Sequence, residues 1–568
     1  MSKNNKKRKN YKIKQKSNVQ FPWEKLLRYS TTFFLFLLLI IFLINKISDC
    51  DIWFHLSTGK YIIESHTIPR HDVFSFIASS HEWIDSQWLF QVILYAFYVI
   101  FGVNGPILLQ LVVFVFAFIL LYKIEYKKSN YIVSAFFLLG AILIVNERFL
   151  IRPEMFTLLF IVIYFYILYQ YKNSSRIFYI FFLPFLQIVW TNTHGLFIIG
   201  VILVLIFLLG ELIDWKINLP LKWNQRYCPK EKRIFVLSLI TVLVAIACFV
   251  NPYLIKGASY PFLLFTEIGP LANKWMKNVS ELVSPFSAGG INNQVVMLYK
   301  VFIVISAISF ILNIRRLNIT YLMIYGAFLY VSIMARRNIP LFIFIVLPIT
   351  IYNINTFLSD DFFTNLKLTK MKYYTEKVLK PLLGVALIVI VIIYISAVIS
   401  NRYYTPEFPT KVFGFGIAKL YPEKAIDFIK ISNIQGNMLN NTEIGGYFSW
   451  KCYPDKKVFI DGRWEIYGRD FLLSYNEWID SPTLWSKYLD KYNINYILLT
   501  NKSPEGEVLL SRLCESTNWS LVYIDNIAFV FVRNVEENKN IIEKYNIGIE
   551  RDKNGTILIK HQGYIFQI

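Results

Sequence analysis

Cysteine is scarce in this chain, five residues in 568, and their spacing is irregular. That excludes a disulfide-dense secreted scaffold and a zinc site, which need paired or repeated cysteines. Cys452 and Cys514 alone remain a pair able to bridge if the C-terminal region lies outside the cytoplasm. No glycine-rich phosphate loop follows a strand-like run, which removes the nucleotide motors. No small-residue cleavage site follows the first apolar run, so that run reads as a retained helix rather than a signal peptide. Acids are fewer than bases, 38 Asp and Glu against 59 Lys and Arg, for a formal net charge of +21. Ionisable groups are rarest inside the apolar runs. That argues against a coupled transporter, which holds such groups near the membrane midplane.

What the chain has is apolar length: 55% of its residues are hydrophobic and 17% aromatic. Runs near 30–47, 105–122, 131–146, 154–170, 177–190, 195–213, 233–250, 294–313, 319–335, 338–354 and 381–400 approach the roughly 20 residues that cross a bilayer. The fold class expected is therefore a polytopic α-helical membrane protein of about 11 spans. Residues 88–102 ("WLFQVILYAFYVIFG") are apolar but short, and predict an interfacial helix leading into the second span.

The positive charge is not that of a nucleic-acid binder, because it is placed by membrane side. Ten Lys and Arg with a single Glu fall in the first 28 residues, so residues 1–29 read as a basic cytoplasmic tail. With that end inside, the loops assigned to the cytoplasm hold about twice the Lys and Arg of those outside, as the positive-inside rule requires. An odd number of spans over residues 30–400 then puts residues 401–568 outside. There, strand-like stretches ("KVFIDGR", "INYILLTN", "IAFVFVRN") alternate with helical ones ("PEKAIDFIKI", "PTLWSKYLDKY", "GEVLLSRLCE"), which predicts one C-terminal extracytoplasmic α/β domain.

Chemistry concentrates on the outer side. The first outer loop, residues 48–88, carries Asp49, Asp51, Glu64, Asp72, Glu82 and Asp85 with His55, His66, His71 and His81. Most of these fit a solvated loop, and the histidine spacing matches no standard ligand pattern. Asp49 and Asp51 differ, because they follow a span directly, where partial burial raises a carboxylate's pKa and makes it a base or a metal ligand. Arg148 and Arg152 ("NERFLIRPE") and Arg336 and Arg337 ("ARRN") run against the charge rule at membrane ends. Either local acids such as Glu147 and Glu154 pair with them, or a lipid phosphate does. "WTNTHG" leaves Asn192 and His194 at the same face as a capping turn or as site residues, and Glu281 lies in a longer outer loop. Asp461 and Arg463 form a structural ion pair or belong to a cover over the site.

The stretch "CDIWFHLSTGKYIIESHTIPRHD" resembles the first outer loop of the GT-C membrane glycosyltransferases, above all the "DPY-x-x-x-R-x-T-x-x-(I/L)" region of oligosaccharyltransferase catalytic subunits. It departs from that pattern where His55 and Leu56 replace the basic position and where no Pro follows Asp51. A "WWDYG" signature is not present. The chain also resembles a group of bacterial membrane proteins through "RPEMF" at Arg152, "NTHG" at Asn192, "NPY" at Asn251, "RRNIPLF" at Arg336 and "GGYFSWKCYPDKKVFIDGRWEIYG" from Gly445. The resemblance, which extends to protein mannosyltransferases, implies an inverting cell-envelope transferase that takes a sugar from a polyprenyl-phosphate donor and passes it to a glycan, lipid or protein acceptor at the outer face. It implies Asp51 as the catalytic aspartate, assisted by Asp49, and leaves a divalent cation (Mg or Mn) open. Arg148, Arg152, Arg336 and Arg337 are the residues expected at the donor phosphate. His55, Glu147, Glu154, Asn192, His194, Glu281, Asp461 and Arg463 are accessory candidates. The rival readings are a lipid-linked glycan flippase, polymerase or ligase, and a non-enzymatic membrane sensor or assembly factor.

Overall fold

The computed structural model describes residues 22–567 apart from 126–129, 174–177, 222, 224–229, 268–280, 288–292, 359–373, 406–409, 502, 552–556 and 562–563. Most of the basic tail at 1–29 lies outside the described residues. All eleven apolar runs form helices, but they are of two kinds. Eight are long and apolar enough to cross a membrane, among them Trp23–Leu43, Arg336–Phe357 and Lys377–Ile399. The runs at 177–190, 233–250 and 319–335 give shorter apolar helices, Phe178–Thr191, Arg233–Ala247 and Ile319–Met334. The stretch expected as a short helix leading into the second span forms a helix of its own, Trp88–Phe101, which breaks at Gly102 before the second span begins at Gly105.

Five helices position the site: α1 (Pro22–Leu43), α2 (Asp51–Ser65), α3 (Trp88–Phe101), α4 (Gly105–Glu125) and α5 (Tyr131–Val145). A sixth, α6 (Glu154–Asn173), follows the turn that carries the first two arginines. The helix Ile339–Phe357 is apolar on every side and buried along nearly its whole length, the signature of a central helix. Its counterpart at the rim, Lys380–Ile399, leaves Leu382, Val385, Val389, Ile392 and Ile393 exposed, as a lipid-facing helix would.

α2 departs most from its sequence reading. It is no solvated loop: Ile52, Trp53, Phe54, His55, Leu56, Ser57, Thr58 and Gly59 are all buried. α3 covers one side of it, and the helix Thr442–Cys452 covers the other. Gly59 makes the first contact possible, since a Cβ there would stand 2.2 Å from the backbone oxygen of Gln91. Trp53 fills the second, with its ring 4.8 Å from that of Tyr447 and 5.3 Å from that of Tyr421.

The C-terminal region holds a four-stranded sheet in the order β1-β2-β4-β3, with β1 (Asn437–Asn440), β2 (Ile494–Thr500), β3 (Trp519–Ile524) and β4 (Ala528–Arg533). β1 runs parallel to β2, and the other pairs are antiparallel. Alternation along the strands divides two cores. Met438, Tyr496, Leu498, Val530 and Val532 join the core continuous with the membrane helices. Leu439, Ile497, Leu499, Phe529 and Phe531 join a second core with Phe74, Ala78 and Trp83 of the first loop. Cys452 packs in the first core and Cys514 against the second, so both are free thiols and the bridge that the sequence left open does not form. "KVFIDGR", expected as a strand, is an extended segment that joins no sheet among the described residues; its one bridge pairs Val458 with Ser75, through hydrogen bonds to Phe74 and Phe76. The helical stretches and the other two expected strands are present.

Candidate functional site

The sequence between α1 and α2 is held from the C-terminal side. The Lys46 N–H donates to Val412 O and the Ile47 N–H to Gly416 O, while Gly414 and Ala418 donate back to Ile44 and Ile47. The Tyr421 hydroxyl donates to the backbone oxygen of Asp49 at 3.0 Å. Asp49 in turn accepts the Asp51 N–H through Oδ1 (3.2 Å), which caps the start of α2. Asp51 thus stands in the first turn of a helix, where the aligned peptide dipoles favour its negative charge.

The expected arginines lie in the turn between α5 and α6 and in the turn 336–338; Arg148, Arg152 and Arg337 meet at Glu281, and Arg152 alone of the four reaches Asp51. Arg152 donates from Nε to Asp49 Oδ2 (2.5 Å) and from Nη2 to Asp49 Oδ1 (2.9 Å), and the same Nη2 lies 3.0 Å from Asp51 Oδ2. Its Nη1 is 3.8 Å from Glu281 Oε2. Arg148 grips Glu154 with Nε and Nη2 (2.8 and 2.6 Å) and reaches Glu281 Oε2 at 2.5 Å. Arg336 pairs with Glu147 at 2.6 Å. Local carboxylates therefore answer the excess of positive charge at Arg148, Arg152 and Arg336. Arg337 is the least engaged, 3.9 Å from Glu281 Oε1. It lines a small pocket, of about 10 Å³, with Glu154, Leu158, Leu196, Asn338, Pro340 and Leu341.

Asp51 is, with Asp85, one of the acids of the first loop that burial raises. Burial pushes it up, Arg152 opposes this and the charge of Asp49 adds to it, leaving its pKa at about 6. For Asp49 burial acts in the same direction, but the charge and hydrogen bonds of Arg152 outweigh it and hold the carboxyl below the usual range. Glu281 is likewise pulled down to about 2, where Arg148, Arg152 and Arg337 overcome burial. Among the described residues, Asp51 Oδ1 meets nothing stronger than the Cys50 thiol at 3.8 Å. Facing it is Gly462, where a Cβ would come within 2.6 Å of that oxygen. Gly462 escaped the sequence reading, although it sits inside "IDGR"; only the fold sets it opposite Asp51.

Five accessory candidates have neighbours of their own within the protein. Asp461 and Arg463 form a bidentate pair, and Arg463 Nη1 also donates to Asp72 Oδ1 at 2.8 Å, with all three side chains fully buried. Asp72, read as a solvated loop acid, is thus a partner in a buried clasp between the first loop and the C-terminal region. Asn192 accepts from Trp88 Nε1 (2.8 Å) and donates to Ile188 O and Val250 O. His194 Nδ1 lies 2.8 Å from Thr157 Oγ1. His55, 2% exposed, lies against Phe90, and burial pushes its pKa down to about 3, which keeps the ring neutral. Lys411, another residue unmarked in the sequence, donates to Asn146 O and Glu147 O at 2.7 and 3.0 Å, holding the turn that bears Arg148.

Ligand atoms of Asp49, Cys50 and Asp51 lie within 4.8 Å of one another, which gives the divalent-cation expectation a place to be tested. The residues do not fit Mg or Mn as arranged. Burial, then Asp51 and Asp49, hold the Cys50 thiol protonated, and both Asp49 oxygens are engaged by Arg152.

No protein-family model and no curated protein matches this sequence. Solved structures match the fold. The archaeal oligosaccharyltransferase AglB from Archaeoglobus fulgidus, in complex with an inhibitory peptide and a dolichol-phosphate, aligns with a TM-score of 0.55 at 10% identity, over 90% of this chain and 74% of that one. The apo form of the Archaeoglobus fulgidus oligosaccharyltransferase gives 0.52 at 11% identity, over 91% and 76%. ArnT from Cupriavidus metallidurans bound to undecaprenyl phosphate gives 0.43 at 11%, over 90% and 98%. At such identities the likeness concerns the fold, and the chemistry rests on the residues above.

Proposed function

We propose, on the premise that the chain has the fold of the GT-C membrane glycosyltransferases, that it transfers a sugar from a polyprenyl-phosphate donor to an acceptor at the extracytoplasmic face. The observation that carries this reading is the single carboxylate oxygen, Asp51 Oδ1, left open beside Gly462 while Arg152 holds its twin. Asp51 takes the proton of the acceptor's nucleophilic group. The acceptor atom attacks the anomeric carbon, the bond from that carbon to the phosphate oxygen breaks, and the lipid phosphate leaves with the electron pair. A single displacement of this kind inverts the anomeric centre.

Arg337 suits the leaving phosphate, because its guanidinium is the least engaged of the four, 3.9 Å from Glu281 Oε1, at a small pocket it shares with Glu154, Asn338 and four apolar residues. The excess of Lys and Arg in the other set of loops supports an N-terminus in the cytoplasm and a C-terminal region outside. The acceptor is a glycan, lipid or protein of the cell envelope.

The test reconstitutes the full chain in liposomes with polyprenyl-phosphate sugars and membrane extract as acceptor, and measures released polyprenyl phosphate. Release by the wild type, and release lowered about 10²–10⁴-fold in Asp51→Asn, is the expected result. Equal release by a folded Asp51→Asn protein overturns the reading.

A further inference from the structure

We propose that Arg152 is the resident cation of the acid cluster, standing where Asp49, Asp51 and Glu281 would otherwise hold a divalent metal. The three carboxylates come from the α1–α2 connection and from a loop more than 200 residues later, yet one guanidinium lies among all of them, at 2.5, 3.0 and 3.8 Å. Of their six oxygens, five face an arginine. Both of Asp49 and Oδ2 of Asp51 face Arg152, while those of Glu281 face Arg148, Arg152 and Arg337. The sixth, Asp51 Oδ1, is the one the chemistry needs.

Asp49, Asp51, Glu154 and Glu281 set four negative charges against the three positive ones of Arg148, Arg152 and Arg337, so the arginines leave a single net negative charge. A hard divalent ion seeks six or more oxygen donors at short range, and it could take these only by expelling the guanidinium. Arg152 offers a planar fork that spans two carboxylates at once, which a lysine could not reproduce. It acts as a positioning residue: it orients Asp51 through Oδ2 and leaves Oδ1 to the substrate. This inference goes beyond the transfer reading and does not need it, because cation occupancy is measurable without a sugar donor.

The experiment is Mn²⁺ binding to the purified full chain in nanodiscs, read by electron paramagnetic resonance. The wild type is expected to take up no stoichiometric Mn²⁺. Arg152→Gln should gain about one Mn²⁺ per chain, and adding Asp49→Asn to it should abolish the gain. Arg152→Lys, which keeps the charge without the fork, should stay Mn²⁺-free. A wild type that binds one Mn²⁺, lost in Asp49→Asn, overturns the proposal whether or not the Arg152 variants fold. A folded Arg152→Gln protein that gains none overturns it as well.

Discussion

Arg463 and Arg152 each sit among aspartates, and each joins stretches of chain far apart in sequence, but the surroundings differ. The Arg463 side chain is sealed with Asp461 and Asp72, all at 0% exposure, and its face covers the rings of Phe74 and Trp83 at 5.0 and 4.8 Å. The Arg152 side chain keeps 24% of its surface, as does Asp51 beside it. Removing two ions from water costs several kcal/mol each and is offset only when every donor and acceptor is matched. The Arg463 clasp comes near that condition, with Nε, Nη1 and Nη2 all donating to carboxylates, an arrangement suited to holding the structure together. The Arg152 cluster leaves one oxygen open and one acid with a raised pKa, a poor arrangement for stability and a good one for proton transfer.

The contrast is open to direct attack. Asp51→Asn should lower transfer by about 10²–10⁴-fold, the usual worth of a positioned base, with an unchanged melting temperature in detergent. Arg463→Met should do the reverse: it strands two buried carboxylates and costs about 3–5 kcal/mol, read as a depressed melting temperature of the solubilised protein. Its residual folded fraction should transfer normally.

Acidification should separate the clusters with no mutation at all. The base is the deprotonated form, so activity falls as pH drops through about 6, the value to which burial raises Asp51. Asp72 moves the other way, because Arg463 outweighs burial and holds its carboxyl below the ordinary 3.8. A carboxylate whose pKa is lowered on folding contributes stability above its unfolded pKa and loses it as pH falls through the folded value. The clasp itself should therefore contribute no loss of melting temperature from pH 7 to 5 while the rate declines, and a melting temperature that falls in step with the rate would show that one cluster does both jobs. The smallest effect belongs to an exposed pair, Lys256 with Glu82, at 63% and 54% exposure. Lys256→Ala should change neither rate nor melting temperature measurably.

Apolar length made the membrane helices legible in the sequence, and charge in the wrong place marked the arginines. Their partners were half legible. Glu154 is six residues from Arg148, but Glu281 is 133 residues away, and Arg336 meets Glu147 across 189. No local pattern encodes such pairings. The burial of α2 was hidden for the same reason: "DIWFHLSTGKYIIES" mixes polar and apolar residues as a surface helix does, and becomes interior only when Thr442–Cys452 packs on it. "KVFIDGR" has the alternation of a strand, yet its polar groups go elsewhere. The Phe459 N–H donates to the Asn440 side chain, and the Asp461 N–H donates to the hydroxyl of Tyr467. Asp51 was marked out by its position after a span, whereas Gly462, the residue that leaves room beside it, required the fold.

The stitching of residues 412–418 onto residues 44–47 has a consequence for anyone cutting this chain. In sequence the C-terminal region looks like a module hung from the last helix, ready to be removed or exchanged. In space it supplies the backing of Asp49 through Tyr421, the cover of α2 through Trp53's neighbours, and the glycine that faces the open oxygen. A truncation at residue 400 would take away one wall around Asp51.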